Sequence, residues 1–142
     1  MLESDISITV RYQETDRMGK VYHSNYLIWF EIARTELFKQ AGASYPELEK
    51  NGYYLVVTEA KLVYKKPLTY EDTANVRVKL SGVENGTLAF DYLITKENVL
   101  AVSGYTKHAF VNARGKAVRI PAAVIKAFKD KDRAHSSDFN HS

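Results

Sequence analysis

The sequence contains no cysteine. Disulfide bonds, thiolate metal sites and cysteine nucleophiles are therefore excluded, and nothing indicates an oxidising compartment. No apolar run reaches the roughly 18 to 20 residues that a membrane-spanning helix needs, and residues 1–9 lack the basic-then-apolar pattern of a signal peptide. We therefore expect a cytoplasmic protein without a transmembrane segment.

The sequence also lacks a strong excess of either charge. Its 20 Lys and Arg residues are interspersed with 17 Asp and Glu residues, which gives a net charge of +3. This balance is poor evidence for nucleic-acid binding, and we expect no nucleic-acid partner. A smaller anion, such as a nucleotide-bearing cofactor, needs only a few well-placed cations.

What is present fits one domain, since 142 residues with 45% hydrophobic content can bury a core. Residues 24–41 predict a long helix, because they contain no Pro or Gly and are followed by Gly42, where a helix C-cap would lie. Its apolar stripe consists of Tyr26, Phe30, Ala33, Leu37 and Ala41. Its first half is apolar nearly all round through Leu27, Ile28, Trp29 and Ile32. We therefore expect the helix to be enclosed.

Most of the remaining sequence predicts β-strands, and apolar and polar residues alternate clearly in all of them except the last. The predicted strands are residues 6–13, 54–65, 73–83, 87–96 and 100–111. Asn85 and Gly86 are typical of a type I′ hairpin turn, and Glu97 and Asn98 mark a second tight turn. We therefore predict an α+β architecture with one antiparallel sheet of about five strands packed against the long helix.

Two shorter helices and a tail complete the chain. Residues 44–47 have the Ser-x-x-Glu spacing of a capping box, with Pro in the first turn, and predict a short helix that ends near Asn51. A further helix should run from Pro121 to about Lys129. Residues 130–142 are polar and without periodicity, so we assign residues 1–129 to the domain and expect a disordered tail.

The segment between the first strand and the long helix carries the informative chemistry. The first backbone N–H groups of a helix lack partners and carry partial positive charge, so they can bind a carbonyl oxygen that is becoming an oxyanion. His23 precedes the predicted helix by about one residue, so its amide is the expected donor. Gly19 lets the loop bend so that Asp16 returns towards that point.

This segment resembles the N-terminal motif of the 4-hydroxybenzoyl-CoA thioesterase family, and most closely its branch of acyl-CoA thioesterases associated with the Tol-Pal cluster. The residues at matching positions are Tyr12, Thr15, Asp16, Gly19, Val21, Tyr22, His23, Asn25, Tyr26, Glu31, Ile32, Ala33 and Arg34. So many matches at fixed spacing are more specific than one short motif. Glu14 in place of the commoner Asp, and Arg17 and Met18 before Gly19, are departures expected to affect substrate choice more than catalysis.

The resemblance implies a hotdog fold, with the sheet wrapped around the long helix, subunits paired edge to edge as a homodimer or homotetramer, and the active site at the dimer interface. It implies hydrolysis of an acyl-CoA thioester, with Asp16 as nucleophile or general base and the His23 amide polarising the carbonyl. The Tyr12 and His23 side chains would complete the site. No cofactor or metal is implied, since CoA is part of the substrate.

Structural interpretations of the same residues stay open. Asp16 alone fits a turn aspartate, Tyr12 fits a core position beside Ile8 and Val10, and the His23 amide carries more weight than its imidazole. Thr58, on an inward face, is more readily explained by a hydroxyl bond to the backbone. The lysines that either attract CoA phosphates or are simply solvated are Lys61, Lys65 and Lys66. The histidines without a metal-site pattern are His108, His135 and His141.

Two other functions fit a hotdog fold. An enoyl-thioester hydratase would need an acid/base pair centred on His rather than Asp beside an oxyanion site. A non-catalytic acyl-CoA-binding module would keep the fold without activity. Asp16 argues against the module, because a binder of a polyanion gains nothing from a buried carboxylate.

Overall fold

The computed structural model describes the backbone of residues 2–141 and the side chains of residues 2–131. Its elements are β1 (Glu3–Thr9), a 3₁₀ turn (Tyr12–Glu14), α1 (Ser24–Gln40), α2 (Tyr45–Lys50), β2 (Tyr54–Tyr64), β3 (Thr73–Glu84), β4 (Thr87–Lys96), β5 (Val99–Val111) and α3 (Ala122–His141). The strands form one antiparallel sheet in the order β1-β3-β4-β5-β2. One face of this sheet packs against α1, which confirms the predicted α+β architecture.

The two central hairpins form where the sequence predicts them, but with different turn geometries. At the β3–β4 turn only Gly86 has a positive φ, so the type I′ geometry predicted for Asn85 and Gly86 is wrong. At the β4–β5 turn Glu97 and Asn98 have φ values of 51° and 64°, as a type I′ turn requires. Gly86 is needed for space as well, because a Cβ there would lie 3.1 Å from the Val118 carbonyl oxygen.

Helix α1 buries one side in the concave face of the sheet. Its buried residues are Tyr26, Trp29, Phe30, Ala33, Arg34, Leu37 and Phe38. The expectation that its first half is enclosed is wrong for the single chain, since Leu27, Ile28 and Ile32 are exposed. The physical reason is that the sheet covers the helix from one side only.

The first strand lies earlier in the chain than predicted, at Glu3–Thr9 rather than at residues 6–13. It ends at Thr9, which pairs with the first residue of β3, Thr73. The chain then turns as the Glu14 N–H donates to the Arg11 carbonyl over 2.9 Å. Tyr12 therefore leaves the sheet and does not occupy the core position considered for it.

The smaller helices also depart from prediction in detail. Ser44 caps α2 without a side-chain hydrogen bond, so the predicted capping box is absent there. Helix α3 continues past the end predicted near Lys129, because neither Pro nor Gly interrupts residues 130–141. The side chains of residues 132–142 lie outside the described residues. The expected disorder of residues 130–142, the domain boundary at residue 129 and the dispensable tail therefore stay predictions. Within residues 2–141, no helix combines the length and apolar character needed to cross a membrane.

Candidate active site

A tight loop carries Asp16 back towards the start of α1. Thr15 and Val21 form an isolated antiparallel bridge, and the Asp16 N–H donates to the Lys20 carbonyl over 2.7 Å. Gly19 has a φ of 77° inside this turn, a conformation that favours glycine. The loop therefore closes as the sequence predicted.

The Asp16 carboxylate is fixed through one of its two oxygens. Oδ1 accepts hydrogen bonds from the backbone N–H groups of Met18 and Lys20, at 2.8 and 3.1 Å. Oδ2 accepts no hydrogen bond from the part of the chain that the structure describes. One oxygen thus orients the group and the other is available to a reactant. Asp16 is exposed in the single chain, so the expectation of a buried carboxylate, which argued against a binding module, is wrong there.

A cleft of about 590 Å³ lies beside this carboxylate. Its lining residues are Asp16, Lys20, Val21, His23, Tyr26, Tyr64, Lys65, Lys66 and Pro67. The volume and the mixture of apolar walls with a few polar groups are typical of a small-molecule site. Asp16 and His23, predicted from sequence to act together, therefore face the same space.

His23 already has helical dihedral angles, with φ −56° and ψ −31°, at the N-cap of α1. Among the described residues, no acceptor receives a hydrogen bond from the backbone N–H of His23 or Ser24. Free N–H groups at a helix start can stabilise a developing negative charge. The His23 imidazole packs against the Tyr22 ring, with centroids 4.5 Å apart.

Tyr12 is not brought into this cleft within the single chain. Its side chain is 74% exposed and packs edge-to-face against Tyr70, with ring centroids 5.7 Å apart. The assignment of Tyr12 to the site stays a prediction, because it depends on what covers this exposed pair.

Glu14 is a feature of the site region that sequence reasoning missed. Although classed as a loop departure, its side chain is only 4% exposed and accepts a hydrogen bond from the Trp29 indole N–H over 2.8 Å. The signal available in the sequence was a Trp on the buried side of the helix that follows, which needs an acceptor for its N–H.

The other polar residues considered from the sequence lie in different parts of the structure. Thr58 lies at a β-bulge between Val57 and Glu59, which breaks the alternation assumed from sequence, and its hydroxyl donates to the Lys107 carbonyl over 3.1 Å. Of the three lysines considered, Lys65 and Lys66 line the cleft, and Lys20 joins them. Within the described residues, no group of three or more His, Asp or Glu side chains is arranged to hold a metal ion.

Comparison with known proteins places the chain in a family. The thioesterase-like superfamily matches residues 10–128. YneP of Bacillus subtilis, provisionally named an acyl-CoA thioesterase, is 37% identical over 129 residues, covering 90% of this chain and 91% of YneP. The acyl-CoA thioesterase YbgC of Haemophilus influenzae is 30% identical over 132 residues, covering 90% of this chain and 97% of YbgC.

Solved structures agree with these sequence matches. The crystal structure of DHNA-CoA thioesterase from Staphylococcus aureus superposes with a TM-score of 0.82 and 32% identity, covering 99% of this chain and 93% of that one. Together with the wrapped antiparallel sheet, this confirms the hotdog fold. The chain therefore belongs to the thioesterase-like superfamily and is an enzyme of the thioester hydrolase class.

Proposed function

We propose that this enzyme hydrolyses acyl-CoA thioesters to a free acid and CoA, with Asp16 as the catalytic carboxylate. The observation that carries the proposal is the shared cleft, which Asp16 lines together with His23 at the N-terminus of α1. One group can supply basicity or a nucleophile, and the other can stabilise an oxyanion.

The proposed chemistry uses both groups at one carbonyl. As a general base, Asp16 takes a proton from water while the water oxygen attacks the thioester carbon. As a nucleophile, its Oδ2 attacks that carbon and forms an anhydride that water then hydrolyses. In both routes the His23 N–H binds the oxyanion, the C–S bond breaks as the carbonyl re-forms, and the thiolate of CoA takes up a proton.

CoA as the leaving group is supported by the charge around the cleft. Lys20, Lys65 and Lys66 line it, and cations at a pocket attract phosphate groups. Further support comes from the relatives YneP and YbgC, whose names both specify acyl-CoA, and from the similar DHNA-CoA thioesterase. The proposed reaction needs no cofactor, since CoA enters as part of the substrate. We also propose that the chain belongs to the narrower 4-hydroxybenzoyl-CoA thioesterase family and its Tol-Pal-associated branch.

We further propose that the enzyme works as a homodimer or larger oligomer with the cleft at the subunit interface. Among the described residues, strand β2 is an edge of the sheet and pairs only with β5. Its Val56 and Val57 are exposed, and so are Ile28 and Ile32 on the uncovered side of α1. A second copy joined at β2 would cover this surface and pair the free edge.

The experiment is a thiol-release screen over short, long, branched and aromatic acyl-CoAs, followed by Asp16→Asn on the best substrate. Asn keeps an Oδ1 acceptor for Met18 and Lys20, so the loop should persist while basicity is lost. We expect kcat to fall by about 10²- to 10⁴-fold with little change in binding. Asp72→Asn is the matched control, because Asp72 also accepts a turn N–H, from Thr69 over 2.8 Å, outside the cleft lining.

An Asp16→Asn enzyme that retains more than about a tenth of the wild-type kcat would contradict the catalytic assignment. Hydration of enoyl-CoA without thiol release would point to the hydratase instead. Acyl-CoA binding without either reaction would indicate a binding module.

A further inference from the structure

Glu14 is the only buried carboxylate among the described residues. A buried carboxylate is costly unless hydrogen bonds compensate it. Its Oε2 accepts the Trp29 indole N–H over 2.8 Å, and its Oε1 accepts the Arg11 backbone N–H over 2.8 Å. The Arg11 Nε also lies 3.4 Å from Oε1. The side chain is therefore fixed to the first half of α1 and to the residue before the 3₁₀ turn.

The backbone of the same residue holds the far end of the loop. The Glu14 carbonyl accepts the Tyr22 N–H over 2.8 Å and the Asn25 side-chain amide over 2.9 Å. These two donors flank His23 in the sequence. Glu14 thus connects the start of the loop, its end and the helix on which it rests.

We infer that Glu14 is a positioning residue, whose ionised side chain holds the loop against α1 so that the Asp16 carboxylate and the His23 N–H converge on one carbonyl. This inference rests on the proposed function. Asp16 lies two residues after Glu14, and a displacement of about 1 Å in a catalytic group can cost about 10²-fold in rate. A shift of Glu14 would therefore displace the Asp16 carboxylate and the His23 N–H.

The length and charge of the side chain suit this role. Glu14 reaches Trp29, 15 residues further along the chain, while it also accepts from Arg11. An Asp side chain is one methylene shorter and would give up one of these contacts. Burial raises the pKa of Glu14, but the hydrogen bonds from Arg11 and Trp29 outweigh that effect and hold the pKa below its usual 4.5. The group is accordingly charged at neutral pH.

The test compares Glu14→Gln, Trp29→Phe and their double variant, each assayed for acyl-CoA hydrolysis at a temperature where circular dichroism shows folded protein. Gln keeps the shape and one acceptor oxygen, so its NH₂ group must face either the Arg11 N–H or the Trp29 N–H, and one of the two hydrogen bonds is lost. We expect kcat to fall about 10- to 100-fold with KM within about threefold of wild type. The double variant should be little worse than Glu14→Gln alone, because both changes disrupt the same contact between the loop and α1. Glu47→Gln, an exposed carboxylate in α2, is the matched control and should leave both constants unchanged.

Hydrogen–deuterium exchange of the peptide covering residues 14–26 gives a second measurement that needs no activity. Faster exchange there in Glu14→Gln than in Glu47→Gln supports the anchor even if acyl-CoA proves not to be the substrate. A kcat within threefold of wild type in Glu14→Gln overturns the inference, as do additive effects in the double variant. Loss of folding in both single variants also overturns it, since Glu14 would then support the whole fold rather than the loop.

Discussion

The ring of Phe30 occupies the space above Gly104 that a side chain at that position would need. A Cβ on Gly104 would overlap the carbons of the Phe30 ring. Phe30 also stacks on Tyr92, with centroids 4.1 Å apart and an interplanar angle of 13°. Gly104 in β5 is thus the position at which α1 comes close to the sheet that wraps it.

We predict that Gly104→Ala destabilises the fold by about 1 to 3 kcal/mol or more, because Phe30 must leave its packed position. Urea unfolding followed by fluorescence would measure the change. Gly82→Ala is the matched control, since a Cβ there meets the Ala89 Cβ at 3.5 Å, an ordinary contact. Equal stability of the two variants would show that the sheet and α1 can separate without cost.

Much of the fold is predictable from local pattern. β3 and β4 have side chains that alternate between buried and more exposed positions, and the ends of β3, β4 and β5 fall within about a residue of those predicted. The failures need information that is not local. Where β1 ends depends on where β3 begins, and the bulge at Thr58 depends on the register with β5.

The site divides in the same way. Asp16 and His23 could be proposed as candidates because a turn and a helix start are short-range features with fixed spacing, and their roles stay predictions. For Glu14 the sequence offered only the signal of a Trp that needs an acceptor, because Glu14 meets Trp29 across 15 residues of chain only in the folded loop. The exposed Leu27, Ile28 and Ile32 show the same limit of prediction from sequence. The spacing of apolar residues indicates which face of a helix is apolar, but it does not indicate what covers that face.

The stability of the fold should depend on pH through His108. Its ring is buried, and its Nε2 lies 2.8 Å from the Thr106 hydroxyl. Burial, aided by the charge of Arg34, lowers the pKa of His108 from 6.5 to about 3. Below pH 6.5 the unfolded chain therefore binds a proton that the folded chain refuses, and stability falls with decreasing pH.

We predict that the free energy of unfolding decreases by about 1 kcal/mol between pH 7 and pH 5.5 and is flat above pH 7 with respect to this residue. Urea titrations of wild type and His108→Asn would measure the two slopes. The variant should lose this slope whatever its absolute stability. Glu14 and Asp72 contribute little in this range, because their pKa values lie below 4.5 and 3.8. An identical slope in the variant would contradict the assignment.

The free edge at β2 gives a test of assembly. Val57 is 55% exposed on this strand, and Val83, 53% exposed in β3, offers a matched position away from it. We predict that Val57→Lys lowers the mass measured by light scattering at micromolar concentration towards one chain, because a charge on an edge strand opposes pairing. Val83→Lys should leave the mass at two chains or more. A wild-type enzyme that is an active monomer would overturn the proposed interface.

The lysines of the cleft should act on binding rather than on chemistry. Lys65 and Lys66 line the cleft that Asp16 also lines. If they meet the phosphates of CoA, replacing both with Gln removes two ion pairs, each worth about 0.2 to 1 kcal/mol at an exposed position. We therefore predict that KM for acyl-CoA rises about twofold to thirtyfold while kcat stays near wild type.

Two comparisons separate phosphate recognition from a general effect of charge. The acyl-pantetheine analogue of the same substrate lacks the nucleotide phosphates, so its KM should be the same for wild type and the double Lys65→Gln, Lys66→Gln variant. Added salt should raise the wild-type KM for acyl-CoA more than that of the variant, because ions screen the attraction. Lys50→Gln, in the last turn of α2, is the control, because it removes one positive charge, as each of the two cleft substitutions does. An equal rise of KM for acyl-pantetheine and for acyl-CoA in the double variant would contradict this prediction. The lysines would then contact the acyl or pantetheine part of the substrate, and other residues would have to bind the phosphates.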